Sequence, residues 1–115
     1  MKRIPGDARG RCAAVQSDGL VYAVATDPHC ADGIAAQTRN TLEKLDKVLA
    51  EAGSAKTRMI QATVYLENIA DKPEMDEVWC DWIGPEQNWP QRACIGVNLE
   101  PGWLIEVVVT AKVLQ

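Results

Sequence analysis

The sequence predicts an α+β fold: a two-layer sandwich with both helices on one face of a mixed sheet, in the order β-β-α-β-α-β-β. Three features carry that reading. Residues 32–53 and 71–84 place apolar side chains at helical spacing. Several other stretches alternate apolar and polar residues with the period of two that marks a strand with one face in a core. Strands and helices are interleaved in a chain of 115 residues, the size of one domain, so a single domain is expected over 1–115.

The first two strands are read from "CAAVQSDGLVYAVATD", where two short apolar runs flank Ser17-Asp18-Gly19. Asp-Gly is a strong hairpin turn. The first helix follows in "DGIAAQTRNTLEKLDKVLAEAG", with Ile34, Thr38, Leu42, Leu45, Val48, Leu49 and Ala52 on one side and Glu43–Lys47 paired on the other. Asp32 is placed to cap its start and Gly53 to close its end. In "RMIQATVYLEN", Ile60, Ala62, Val64 and Leu66 make an apolar strand face. The second helix is "DKPEMDEVWCDWIG", with Asp71 and Glu74 at capping-box spacing and Pro73 in the first turn. Its apolar side is Met75, Val78, Trp79, Trp82 and Ile83, and Gly84-Pro85 stops it. The last two strands, 91–98 and 103–113, are expected to form a hairpin around Glu100-Pro101-Gly102.

Composition narrows the function. Net charge is −4 and no basic cluster is present, which disfavours nucleic acid as a partner. No apolar run approaches the ~20 residues that span a bilayer, and no apolar segment follows the basic start. No membrane partner and a cytoplasmic location are therefore expected. Cys12, Cys30, Cys80 and Cys94 include no C-x-x-C, so free thiols are expected rather than staples. The single histidine, His29, reads as a turn residue, and no metal site is expected.

The chemistry concentrates in "NWPQRACIGVNL", residues 88–99. Ala93, Ile95 and Val97 fit a core face, which leaves Arg92, Cys94 and Gly96 on the other. On the last strand Ile105, Val107 and Val109 share the core phase, while Leu104, Glu106, Val108 and Thr110 share the opposite one. Arg92 and Glu106 are thus expected on the same sheet face. Either they neutralise each other at a subunit seam, or Arg92 offers its planar guanidinium to a ligand carboxylate while Glu106 orients a water. Gly96 would leave room for the ligand. Cys94 lacks a nearby base; it reads as a small filler whose pKa Arg92 would lower somewhat. Apolar residues on both faces of strands 59–66 and 103–113 predict that the face away from the helices is covered by further copies of the chain.

These residues also carry a resemblance. "WPQRACIGVNL…GWLIEVVVTA", "QTRNTLEKLDKVLAEAGS" and "MIQATVYLENIADKPEMDEVW" resemble, in order and spacing, the motifs of the Rid (YjgF-type) family of reactive-intermediate imine/enamine deaminases, over about residues 10–113. The resemblance implies a chorismate-mutase-like fold assembled as a homotrimer, with clefts between subunits. It further implies hydrolysis of 2-aminoacrylate-like imines and enamines to keto acids and ammonia, without cofactor or metal. Carried over by position, Arg92 binds the substrate carboxylate, Cys94 lines the pocket and Glu106 positions the attacking water. Two matches depart from the family. Many members have Ser-Gly-Gln where this chain has Val24-Ala25-Thr26, so a hydroxyl is missing there, and Arg11 stands where an aromatic side chain is common. The turn before Glu106 is also one residue shorter than in typical members. Arg11, Val24 and Ala25 are accordingly expected to line the same cleft as Arg92, and two arginines pointing at one cleft suggest a larger or more acidic substrate. A non-catalytic ligand-binding trimer is the alternative reading, and a nucleic-acid-directed protein, as some relatives are described, is a third that the charge of −4 argues against.

Overall fold

The computed structural model describes residues 1–114. Six strands form one mixed sheet: β1 (Lys2–Pro5), β2 (Cys12–Ser17), β3 (Leu20–Ala25), β4 (Met59–Leu66), β5 (Gln91–Gly96) and β6 (Ile105–Lys112). Two helices, α1 (Ile34–Glu51) and α2 (Lys72–Ile83), pack side by side over one face, so the α+β sandwich expected from the sequence is the fold observed. Strand order across the sheet is β1-β2-β3-β6-β4-β5, and only β4–β5 is parallel.

The core follows the predicted helix faces closely. Ile34, Thr38, Leu42, Leu45, Val48, Leu49 and Ala52 are all buried, against Val21, Ala23, Val64, Val107 and Val109 of the sheet. Each fully buried aliphatic side chain contributes about 1.5–3 kcal/mol. Asp18 and Gly19 adopt the left-handed conformations that a tight β2–β3 turn requires, and Gly53 ends α1 at φ +87°. The side-chain N-cap bonds expected of Asp32 and Asp71 are not made. Gly33, not Asp32, occupies the cap position of α1, and Asp71 caps α2 without a side-chain bond. Asn68 organises that turn instead, its side chain accepting from the Ala70 N–H at 3.0 Å.

Three strand expectations are corrected. β1 is additional: its one buried side chain, Ile4, leaves no periodicity to read, and the pairing with β2 shifts register at Pro5. In β4 a bulge pairs Met59 with Ala111 and Gln61 with Thr110, which expels Ile60 to solvent and buries Met59. Most consequentially, β5 and β6 are not a hairpin. β4, α2 and β5 form a strand–helix–strand unit, whose crossover helix returns the chain parallel to β4, and β6 inserts on the other side of β4.

Candidate functional site at the sheet edge and the open face

Register decides where the site residues sit. On β5, Arg92 lies beside Ala62 and Cys94 beside Val64, and both β4 residues belong to the core. Arg92, Cys94 and Gly96 therefore share the helix-covered side, while Ala93 and Ile95 lie beside Thr63 and Tyr65 on the open face. The phase expected for β5 is inverted. Edge position explains the inversion: Ile95 can be apolar and yet 44% exposed, because only one neighbour and no helix covers that side. Glu106 lies beside Tyr65, on the open face. Arg92 and Glu106 of one chain are thus on opposite faces with β4 between their strands, and they do not pair.

The partner of Arg92 is Asp76 of α2. Nη2 donates to Asp76 Oδ1 at 2.6 Å, and Lys72 Nζ donates to Asp76 Oδ2 at 2.8 Å. The guanidinium lies 5.1 Å from the Trp79 ring centroid, which holds its plane by cation–π attraction. Burial pushes the Asp76 carboxyl up, but the bonds from Lys72 and Arg92 outweigh it and leave the group below its ordinary value. The side chain of Arg92 remains 18% exposed. Its Nε and Nη1 meet no protein oxygen among the described residues; Met75 Sδ, 4.0 Å from Nη1, is a weak acceptor. A cavity of about 220 Å³ opens here between Asp76, Trp79, Cys80, Trp89 and Arg92.

Cys94 does not have the lowered pKa expected from its neighbour. Burial raises it, and the pull of Arg92 and Lys72 only partly offsets that. Gly96 is likewise not a space for a ligand, since a Cβ there would stand 3.0 Å from Ile69 Cβ.

Arg11, Val24 and Ala25 gather elsewhere, around a cavity of about 300 Å³ that also takes in Thr26, Lys44 and Trp103. Its wall is built by a residue the sequence reading passed over. Asp27 is fully buried and accepts from the His29 N–H at 2.8 Å, the Ala31 N–H at 2.8 Å and Asn40 Nδ2 at 3.2 Å. Burial raises its pKa, but these bonds outweigh that and lower it. Buried Gln37 ties the same loop to the turn before β6, donating to the carbonyls of Ala31 and Gly102 and accepting from the Leu104 N–H. Asp before Pro-His-Cys is a turn signal that could have suggested the Asp27 loop. The Asp76–Arg92 contact, between α2 and an edge strand, left no local sign.

The two clusters are far apart within one chain. β3 and β5 are separated by β6 and β4, about 14 Å at ~4.8 Å per strand. A small ligand cannot touch both. Among the described residues no three His, Cys, Asp or Glu side chains gather as a metal site, no helix is long and apolar enough to cross a membrane, and the four cysteines are free.

This arrangement has relatives. The sequence family described as Endoribonuclease L-PSP matches residues 11–113. A structure of a YjgF protein family member from Neisseria meningitidis superposes with a TM-score of 0.91 at 30% identity, covering 99% of this chain and 95% of that one. The chain belongs to the YjgF/Rid family. Among its Rid relatives, a RutC family protein of Haemophilus ducreyi is 44% identical over 78 residues, 67% of this chain, so the chain spans about two thirds (66%) of that relative. The protein named 3-aminoacrylate deaminase RutC in Acinetobacter baylyi is 32% identical over 109 residues, 87% of this chain and 84% of that protein.

Proposed function

We propose that this Rid protein hydrolyses reactive imines and enamines that carry a carboxylate, in clefts between the subunits of a homotrimer. The observation that supports it most is the presentation of Arg92. Its guanidinium is fixed at Nη2 by Asp76 and on one face by Trp79, and no protein oxygen among the described residues takes its Nη1, which is left to donate to an anion. The second support is the separation of the two clusters. Arg92 and Cys94 occupy one edge of the sheet, while Arg11, Val24 and Ala25 lie beyond two intervening strands and Glu106 is on the face that no helix covers. Apposing two chains would bring Arg92 of one to the open face of the next. That face carries Tyr22 at 48% and Val108 at 38% exposure, apolar surface suited to burial between copies.

In this reading the substrate carboxylate sits on Arg92, Cys94 lines the pocket, and Glu106 of the neighbouring subunit orients a water and takes its proton. An enamine first becomes the imine by moving a proton from nitrogen to its β-carbon; water then adds to the imine carbon, the carbinolamine collapses, and ammonia leaves with that proton to give a keto acid. Water is the only co-reactant, so no cofactor is required. The A. baylyi relative, named for an enamine that bears a carboxylate, fits the substrate class. The family description names a ribonuclease, but a net charge of −4 offers little attraction to a phosphate backbone. Val24, in place of a serine hydroxyl, favours one second reading: a trimer that binds the ligand without hydrolysing it.

The test is to generate 2-aminoacrylate in situ and follow its decay. Acceleration by wild type, reduced at least about a hundredfold in Arg92→Ala, is expected. Binding of pyruvate without acceleration would favour the second reading, and equal acceleration by the variant would remove Arg92 from the site.

A further inference from the structure

We infer that the cleft takes a substrate with two anionic groups, the imine or enamine of a dicarboxylic acid, with its second anion held by Arg11 and Lys44. The inference rests on the deaminase reading for the reaction, but the second anion site stands on its own observations. Arg11 and Lys44 come from different parts of the chain, the loop before β2 and the middle of α1, and line one cavity of about 300 Å³. Among the described residues neither forms an ion pair, although Lys44 is half-buried. The Lys44 ammonium keeps access to solvent and Arg11 is exposed, so both charges are free to meet an anion that enters the cavity.

The acidic residues of the same cavity do not fill this role. Both Asp27 oxygens are bound by its own loop and Asn40, and Asp7 is exposed and pairs with neither cation. Val24, Ala25 and Trp103 supply an apolar part of the wall, which strengthens a charge contact made against it. Arg92 lies outside this cavity, at the other edge of the sheet. A ligand bridging the seam between two subunits would therefore meet one guanidinium at one end and two cations at the other.

Two measurements test this separately from the reaction. In calorimetric titration, wild type should bind oxaloacetate at least about tenfold more tightly than pyruvate, and Lys44→Gln or Arg11→Gln should bring that ratio towards one. Equal affinities, no binding of either acid, or a ratio unchanged in both variants overturns the inference. The second measurement compares decay of iminosuccinate with that of 2-aminoacrylate. Faster acceleration of the dicarboxylic imine, with the preference lost in Lys44→Gln, supports both readings. Acceleration without preference overturns the dianion alone. Oxaloacetate selectivity without acceleration of either imine keeps the dianion site and overturns the deaminase.

Discussion

Arg92 owes its availability to Asp76. A lone guanidinium at a sheet edge would sample many rotamers; one bound at 2.6 Å and laid on Trp79 presents its remaining donors in one plane. Asp76→Asn keeps the shape and removes the charge. It should raise KM for a carboxylate substrate by about tenfold, with a smaller change in kcat, because the residue positions Arg92 and does not touch the reacting atoms. A fall in kcat with KM unchanged would contradict that role. Asp27 and Asp76 also set a pH dependence. Both have folded pKa values below the ordinary 3.8, so their contribution is present above that value and is lost as pH falls through the folded values. Urea midpoints should drop between pH 6 and about pH 3, and the drop should shrink in Asp27→Asn.

At the scale of elements, what could be read from the sequence depended on how each element is buried. α1 was legible because Leu42, Leu45 and Leu49 repeat on one side and tertiary packing agrees with that pattern. Leu45→Ala should cost about 2–5 kcal/mol in a denaturant titration. β6, central in the sheet, was legible for the same reason, and the phase of Glu106 with it. β5 was not. Its two faces, Arg92/Cys94/Gly96 and Ala93/Ile95, both contain small or apolar residues, and an edge strand takes its phase from a single neighbour. That one uncertainty displaced Arg92 to the wrong face and paired it with Glu106. Gly96 follows the corrected phase: Gly96→Ala should lower thermal stability by pushing Ile69 away from β5, and an unchanged melting temperature would contradict the close approach.

At the scale of the whole molecule, the proposed site needs more than one chain. Arg92 and Glu106 lie on opposite faces, and the open face between the edges is rich in apolar side chains. The expectation of a shared face was wrong for a single chain, and the proposed seam between chains is what would bring the two residues together. Static light scattering should give three chains per particle, and a monomer at micromolar concentration would contradict the assembly. The central claim, one site built from two subunits, is tested most directly by complementation. Arg92→Ala and Glu106→Gln chains are each assayed alone on 2-aminoacrylate, then unfolded together and refolded as mixed trimers. Each variant alone should be nearly inactive, and a one-to-one mixture should recover about a quarter of the wild-type rate, the fraction of seams that join one intact Arg92 to one intact Glu106. Mixed trimers that form but stay inactive would contradict the shared site.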